Sequence, residues 1–446
     1  MVTAYGRMAS SRTTREGDGP VPDMEGRQRY PVSGLAALMI AALAAPAFGQ
    51  AATLLQLLCL GGILALRWQM LPALLPAALP LLLLPLFAAA SFLWSDVPDV
   101  SLRYGIQLIV TVIMGVVLGR LLTLRELVLA VFIGTTIACV IGLVSGRMGV
   151  SDGGPVMIGL SGSKNQMGYI ALFWLSAALC VAGSGAYRLP ARIIASLTVI
   201  PAIFLLVQAD SATALVSMAV LVGLLAMLAV ASFLGRGGRL FALLAAALLT
   251  IPVVVGLPEI ERQIDVLRTD VLQKDARLTG RTLLWESADV LIAQSPVIGH
   301  GFKAIWLGPK GKGLLARNKQ RDGRAFHFHD TFREIMADLG AVGLVLFLLP
   351  LAYAALRAVL LLIAEVDAPR AFAVATLATI ILRIRTELVL GPFMIDTALL
   401  YAVVAALAVM PLAVAGASSS EPRSALFRMR ATRTARTSPR PQRNSA

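Results

Sequence analysis

The chain of 446 residues is 58% hydrophobic and only 14% charged, against roughly 25% charged in an average soluble domain. That balance excludes an ordinary soluble globular protein. The formal net charge of +14 could suggest nucleic acid, but the 39 Lys and Arg concentrate in two tails and in short connections between apolar runs. Basic residues at such places report membrane orientation, so nucleic-acid binding is set aside.

Residues 1–33 form a basic tail carrying Arg7, Arg12, Arg15, Arg27 and Arg29. From Leu35 to Ala415 apolar runs recur, each about as long as a helix needs to cross a ~30 Å hydrocarbon core. Their Pro, Gly and charge punctuation predicts an all-α, polytopic membrane protein of about twelve spans: 34–49, 51–66, 71–92, 104–120, 127–144, 166–183, 193–208, 213–234, 240–257, 335–356, 371–390 and 394–415. Nine spans thus fill 34–257 and three fill 335–415. The first run, ending in Pro46-Ala47-Phe48-Gly49-Gln50-Ala51, also reads as a signal peptide, although its leader is long for one; cleavage there would leave the sidedness of every later segment unchanged.

With both tails cytoplasmic, the inner short loops hold Arg67, Arg120, Arg125, Arg188, Arg192, Arg236, Arg239, Arg357 and Arg370. The outer short loops hold Arg103, Arg147 and Lys164. This asymmetry supports that orientation. Cys59, Cys139 and Cys180 all lie within apolar runs, where a thiol acts as a small hydrophobe, and their spacing gives neither a disulfide framework nor a zinc site. Residues 416–446, rich in Ser, Thr, Pro and Arg, read as a disordered tail lying against anionic lipid.

One connection breaks the pattern of tight turns. Residues 258–334, placed outside between spans nine and ten, hold 13 Lys or Arg, 10 Asp or Glu and all three histidines. Long loops in compact proteins are usually functional, and this one contains a predicted helix, Arg281–Gln294, with Leu284, Ala288, Leu291 and Ile292 on one face. It reads as a helical cap over the active site.

Three segments could carry chemistry. Arg281 falls in the first turn of the predicted helix, where the macrodipole disfavours a cation, so either a bound phosphate or a local ion pair with Asp275 or Glu286 should offset it. Lys164, in Gly162-Ser163-Lys164-Asn165-Gln166-Met167-Gly168, opens an apolar run in the same way, and reads either as a ligand contact or as a snorkelling lysine. In Phe326-His327-Phe328-His329-Asp330-Thr331-Phe332-Arg333-Glu334, Asp330 is a good N-cap, which leaves His329 just before a helix. There the dipole favours the neutral imidazole a general base needs, while adjacent Asp330 opposes it. A metal held by His327, His329, His300 and Asp330, or a plain interfacial histidine pair, are the other readings.

The strip Lys310, Lys312, Arg317, Lys319, Arg321 and Arg324 is either a solvated loop or an attractor of anionic lipid or glycan. Arg383, Arg385 and Glu387 fall inside the run 371–390, where ionisable groups usually face a cavity or one another. Asp210 lies similarly at the end of its run. The two-residue spacing of Arg385 and Glu387 keeps them off one helix face, so partners must come from other spans.

Several of these segments together resemble the O-antigen ligase and polymerase superfamily of bacterial membrane glycosyltransferases, which includes the polymerases of exopolysaccharide production. The likeness rests on Phe92-Leu93-Trp94-Ser95-Asp96-Val97-Pro98 with Arg103, on the Gly162–Gly168 segment, and on Gly280-Arg281-Thr282 running through Trp285 to Ser295-Pro296-Val297-Ile298-Gly299-His300-Gly301-Phe302. His329 and Leu339-Gly340-Ala341-Val342-Gly343-Leu344 complete it. Together these segments span residues 90–410.

The resemblance implies an inverting, metal-independent and cofactor-free transfer of a glycan from a polyprenyl-diphosphate donor to a sugar hydroxyl, on the outer face of the bacterial inner membrane. The acceptor is a glycan or lipid-linked glycan, and chain-length regulators and flippases are the implied protein partners. Arg281 then corresponds to a diphosphate-binding arginine and His329 to the histidine that activates the acceptor. Lys164 corresponds to a polar position at the cavity mouth, and Asn165, Arg103, Arg324, Arg333, Arg383, Arg385 and Glu387 are further candidate substrate contacts. Where many relatives carry Ser-Arg or Ser-Lys, this chain reads Asp210-Ser211-Ala212-Thr213, so a second diphosphate cation is missing and Lys164, Arg383 or Arg385 are candidates to replace it. A transporter or flippase for lipid-linked glycans is the rival reading, but it would want midplane charges and an internal repeat, and no repeat is present in the sequence. A glycosidase using Glu286 and Asp289 is disfavoured, because an i, i+3 pair on one helix does not flank a sugar from both sides.

Overall fold

The computed structural model describes residues 26–151, 154–245, 281–317 and 327–411, with 248, 251–252, 255–256 and 259 between them. Its helices are α1 (Gly26–Leu43), α2 (Gln50–Leu66), α3 (Leu71–Ala90), α4 (Pro98–Leu121), α5 (Leu124–Ser145), α6 (Lys164–Gly183), α7 (Leu189–Gln208) and α8 (Ala212–Ala231). After the start of α9 at 236–245 come α10 (Arg281–Gln294), α11 (Ala304–Leu307), α12 (Pro309–Arg317), α13 (Thr331–Ala364), α14 (Ala368–Arg383) and α15 (Ile395–Val409).

Among the described residues, six helices are long and apolar enough to cross a membrane: α4 to α8 and α13. A seventh arises if α2 and the segment Trp68–Pro76, bent by 79° at Arg67, are taken as one span. The all-α reading needs one amendment, since Met148–Ser151 pairs antiparallel with Gly154–Met157 in a small hairpin. A second correction concerns 371–390, because α14 stops at Arg383. Residues 384–390 leave the helix yet, Arg385 apart, stay buried, with Val389 0% and Leu390 2% exposed. Hydropathy alone does not separate a buried connection from a helix, so Arg385 and Glu387 lie in a loop rather than in a span.

α6 is the central helix, with Ala171, Phe173, Trp174 and Ala177 all at 0% exposure; it packs against α5, α7, α8 and α14. α7 by contrast presents Leu197, Ile200 and Val207 outward, as a lipid-facing helix does. The α4–α15 contact is close because Gly115 and Gly119, spaced as G-x-x-x-G, remove side chains where the helices cross. A Cβ on Gly119 would overlap the Ala402 carbonyl, and one on Gly115 would lie 2.6 Å from the Ala398 oxygen.

The arginines assigned to inner loops gather at one end of the bundle. Arg125 lies 5.2 Å from the Tyr187 ring centroid, joining the α4–α5 and α6–α7 turns. Arg239 donates to the Ala364 carbonyl at 2.6 Å, and Arg357 donates to the Leu407 carbonyl at the end of α15. The end-to-end asymmetry read along the chain is therefore also an asymmetry in space.

Gly119→Leu should disrupt the α4–α15 crossing, since overpacking of this kind typically costs about 1–3 kcal/mol. Gly61→Ala, with nothing within 4 Å of its added Cβ, should leave the melting temperature of the purified protein unchanged. Equal melting of the two variants in detergent would show that the crossing tolerates a side chain.

Candidate active site

α13 is broken at Gly340, whose φ of +64° and ψ of −165° are non-helical. A break in an apolar helix frees backbone groups that must be paired elsewhere, and the loop before it supplies the partners. His300 N and Gly301 N donate to the Ala337 and Asp338 carbonyls at 3.0 and 2.9 Å, while Ala341 N and Val342 N donate to those of Pro296 and Val297 at 2.9 and 3.1 Å. Glycine is required on both sides of this clasp: Gly299 and Gly340 both have positive φ, and a Cβ on either would overlap the opposing backbone. The two motif segments 295–302 and 339–344 are thus two halves of one contact.

The loop is also held by charge. Lys303 Nζ lies 2.8 Å from Glu334 Oε1, and both side chains are nearly inaccessible. Glu334 Oε2 accepts from Trp306 Nε1 at 3.3 Å and from Phe328 N at 3.0 Å. Burial by itself would lower the Lys303 ammonium, but Glu334 and Asp338 beside it outweigh that and hold it above the ordinary lysine range. Ser101 Oγ donates to the Phe302 carbonyl at 3.0 Å, tying the same loop to the start of α4.

His329 sits where these constraints converge. Its φ is +51°, a region that histidine visits more readily than most residues, and its neighbours fix it there. Trp285 Nε1 of α10 donates to the Phe328 carbonyl at 2.9 Å, and Asp330 caps α13 by accepting from Phe332 N and Arg333 N at 2.9 and 3.2 Å. His329 N donates to His327 Nδ1 at 3.1 Å, so His327 carries its proton on Nε2.

The partner that reaches the imidazole comes from the loop after α14. Thr331 Oγ1 donates to the Glu387 carbonyl at 2.6 Å and accepts from Val389 N at 3.0 Å, which stitches this loop to the start of α13. Glu387 Oε2 then lies 3.6 Å from His329 Nδ1, with the carboxylate 2% and the imidazole 19% exposed. Asn165 Nδ2 of α6 donates to Glu387 Oε1. Arg385, 39% exposed, has Nε 3.7 Å from Asp330 Oδ2, and Arg333 bridges Asp330 and Asp289 at 2.9 Å each while stacking on Trp285.

Five of the candidate residues, Asn165, His329, Arg333, Arg385 and Glu387, are therefore brought together, and Lys164 adjoins them as the first residue of α6 behind the Ser163 cap. Arg383 lies beneath them, fully buried and paired with Asp396 of α15, its guanidinium 3.6 Å from the Tyr169 ring centroid. Arg103 is exposed on α4 over Tyr104, with no contact linking it to the His329 group among the described residues. Arg281 opens α10, but its side chain, like Arg324 and Asp275, lies outside the described residues.

The metal set of His327, His329, His300 and Asp330 is not assembled. His300 Nε2 contacts the Leu291 carbonyl at 2.9 Å and Nδ1 faces Lys310 at 3.0 Å, while Asp330 serves the helix cap and arginines. Among the described residues, the group that could hold an ion is instead His327, His329 and Glu387, with one ligand atom from each within 4.8 Å of the others. Glu387 was visible in sequence as a misplaced charge, but its pairing with His329 across 58 residues was not; neither were Asp396 for Arg383 and Asp289 for Arg333.

A polytopic α-helical membrane protein that gathers a histidine, buried carboxylates and arginines at the rim of its bundle is the class defined here. Residues 197–348 match the family model of O-antigen ligase, a segment that contains Arg281, His329 and both halves of the clasp. The chain is also 30% identical over 269 residues to the exopolysaccharide production protein ExoQ of Rhizobium meliloti (strain 1021), covering 58% of this chain and 60% of that relative. Each match covers only part of the chain, and together they relate it to the O-antigen ligase family model and to an exopolysaccharide production protein.

Lys303→Met would leave Glu334 buried without its counter-charge, a change that costs about 3–5 kcal/mol when a buried pair is broken. Combining it with Glu334→Gln, which keeps an acceptor for Phe328 N, should recover most of the lost thermal stability. A single variant that melts like wild type would show that the clasp does not need the ion pair.

Proposed function

We propose that the chain is a membrane glycosyltransferase, a polysaccharide polymerase or ligase acting on the outer face of the bacterial inner membrane. Its donor is a polyprenyl-diphosphate-linked glycan and its acceptor a sugar hydroxyl. The observation that carries this reading is the His329–Glu387 pair, set at the rim of the bundle beside Arg385, Arg333 and Lys164.

In this mechanism the acceptor oxygen attacks the anomeric carbon of the donor sugar as the bond from that carbon to the diphosphate oxygen breaks, with inversion. The proton of the acceptor hydroxyl passes to His329, and the polyprenyl diphosphate leaves with the bonding electrons. Glu387, held by Asn165 and Thr331, positions the imidazole and compensates the charge that develops on it. Arg281, Lys164 and Arg385 are the cations assigned to the diphosphate. Arg383, neutralised by Asp396, is assigned to the frame of the site rather than to the donor. The transporter alternative gains nothing from that buried pair, which joins the end of α14 to the first turn of α15 instead of lying at mid-helix.

The site requires residues 281–334 to face outward. Reporter fusions should read cytoplasmic after Gly235 and Ala417 and periplasmic at Gly311; a cytoplasmic signal at Gly311 would invert the site and remove the proposed chemistry.

In a single-turnover assay with a lipid-diphosphate oligosaccharide, His329→Ala should lose ~10²–10⁴ in rate while donor binding survives. Arg281→Lys should impair the reaction through donor binding, because an ammonium does not reproduce the guanidinium fork on a diphosphate. Turnover should persist in EDTA, and His300→Ala should be mild. Turnover abolished by EDTA, with His327→Ala as damaging as His329→Ala, would replace the general base by a metal centre on His327, His329 and Glu387.

A further inference from the structure

At the far end of α4 from the Phe302 contact, an open-sided cavity of about 430 Å³ is lined by the α4–α5 turn, the turn after α2 and the end of α15. The contact is made by Ser101 and the cavity is lined by Arg120 of the same helix, so at ~1.5 Å per residue the two lie roughly 28 Å apart along α4. Its volume falls within the ~300–1,000 Å³ usual for small-molecule sites. Arg67 and Arg120 both line it, and Met70, Leu122, Val409 and Pro411 supply apolar wall.

The charges at this cavity do not cancel one another. Glu126, its lining carboxylate, is committed to the helix cap, where Oε2 accepts from Thr123 N and Oγ1 at 2.8 Å each. The carbonyls of Leu407 and Met410 at the end of α15 are covered by Arg357. Among the described residues neither Arg67 nor Arg120 has an ion-pair partner, and the buried Nε of Arg67 has no hydrogen-bond acceptor. Snorkelling accounts for a single arginine at a helix end. It does not account for two arginines from different elements converging on one cavity with an apolar wall. That arrangement is complementary to a ligand with an anionic head and a hydrocarbon body, since guanidinium forks suit phosphate oxygens and basic pockets between membrane helices take up phospholipid headgroups.

We propose that this cavity binds the phosphate headgroup of an anionic phospholipid, with Arg67 and Arg120 as the phosphate ligands and an acyl chain along the apolar wall. The bound lipid would tie the turn after α2 to α4 and α15, and through the α4–α15 crossing would stabilise the bundle at the end opposite His329. The proposal is independent of the chemistry assigned to His329.

The test is native mass spectrometry on the full chain in micelles containing equal amounts of dioleoyl phosphatidylglycerol and dioleoyl phosphatidylcholine. Wild type should retain phosphatidylglycerol at least about tenfold over phosphatidylcholine, and the double variant Arg67→Gln/Arg120→Gln should lose that preference. Should the double variant not fold, Val409→Trp, which fills the cavity from an exposed wall position and keeps both arginines, should lose the preference equally. Millimolar inorganic phosphate should not displace the lipid. Unchanged retention of phosphatidylglycerol in the folded variants would overturn the proposal by placing the lipid elsewhere, for instance on the arginine-rich C-terminal segment. Full displacement by inorganic phosphate would overturn it in favour of a simple anion site.

Discussion

Four backbone hydrogen bonds between residues 296–301 and 337–342 join the loop of this protein to its membrane helices, and the rest of the candidate site depends on them. They form because α13 is interrupted at Gly340, which leaves donors and acceptors in an apolar setting where an unpaired amide costs several kcal/mol. The loop supplies partners for two carbonyls before the break and two amides after it, and only glycine at 299 and 340 allows the two backbones to come so close. Lys303 and Glu334 then pin the same contact from the side, and Glu334 passes the constraint to Phe328. His329 is the next residue, so its unusual backbone conformation is held from both directions.

The distribution of charge follows from the same economy of buried polar groups. Ionisable side chains around the candidate site are matched one against another: Arg383 with Asp396, Glu387 with His329 and Asp330 with Arg385 across elements, and Asp330 with Arg333 within the first turn of α13. At the opposite end Arg239 and Arg357 cap helix ends, Arg370 pairs with Glu365 and Asp367, and Arg67 and Arg120 border a cavity whose lining carboxylate, Glu126, caps α5. One end of the molecule is thus a paired network around His329, and the other carries an excess of arginine over carboxylate at the Arg67 and Arg120 cavity.

The twelve apolar runs, the Arg281–Gln294 helix with its buried Leu284 and Ala288 face, and the Asp330 cap were all legible in sequence. Each is a local property, set by the hydropathy of a continuous segment, by 3.6-residue periodicity or by one side chain and the next turn of backbone, and the structure shows helix at every one of those runs it describes. Hydropathy failed at 384–390, because a connection buried by its neighbours is as apolar as a helix. Tertiary structure alone decided that this connection places Glu387 against His329, that Asp396 neutralises Arg383, and that His300 stands apart from His327. Those pairings join residues from 13 to 58 positions apart. They depend on how separate elements cross and on where a broken helix must find hydrogen-bond partners, and neither is encoded in any single stretch of the chain.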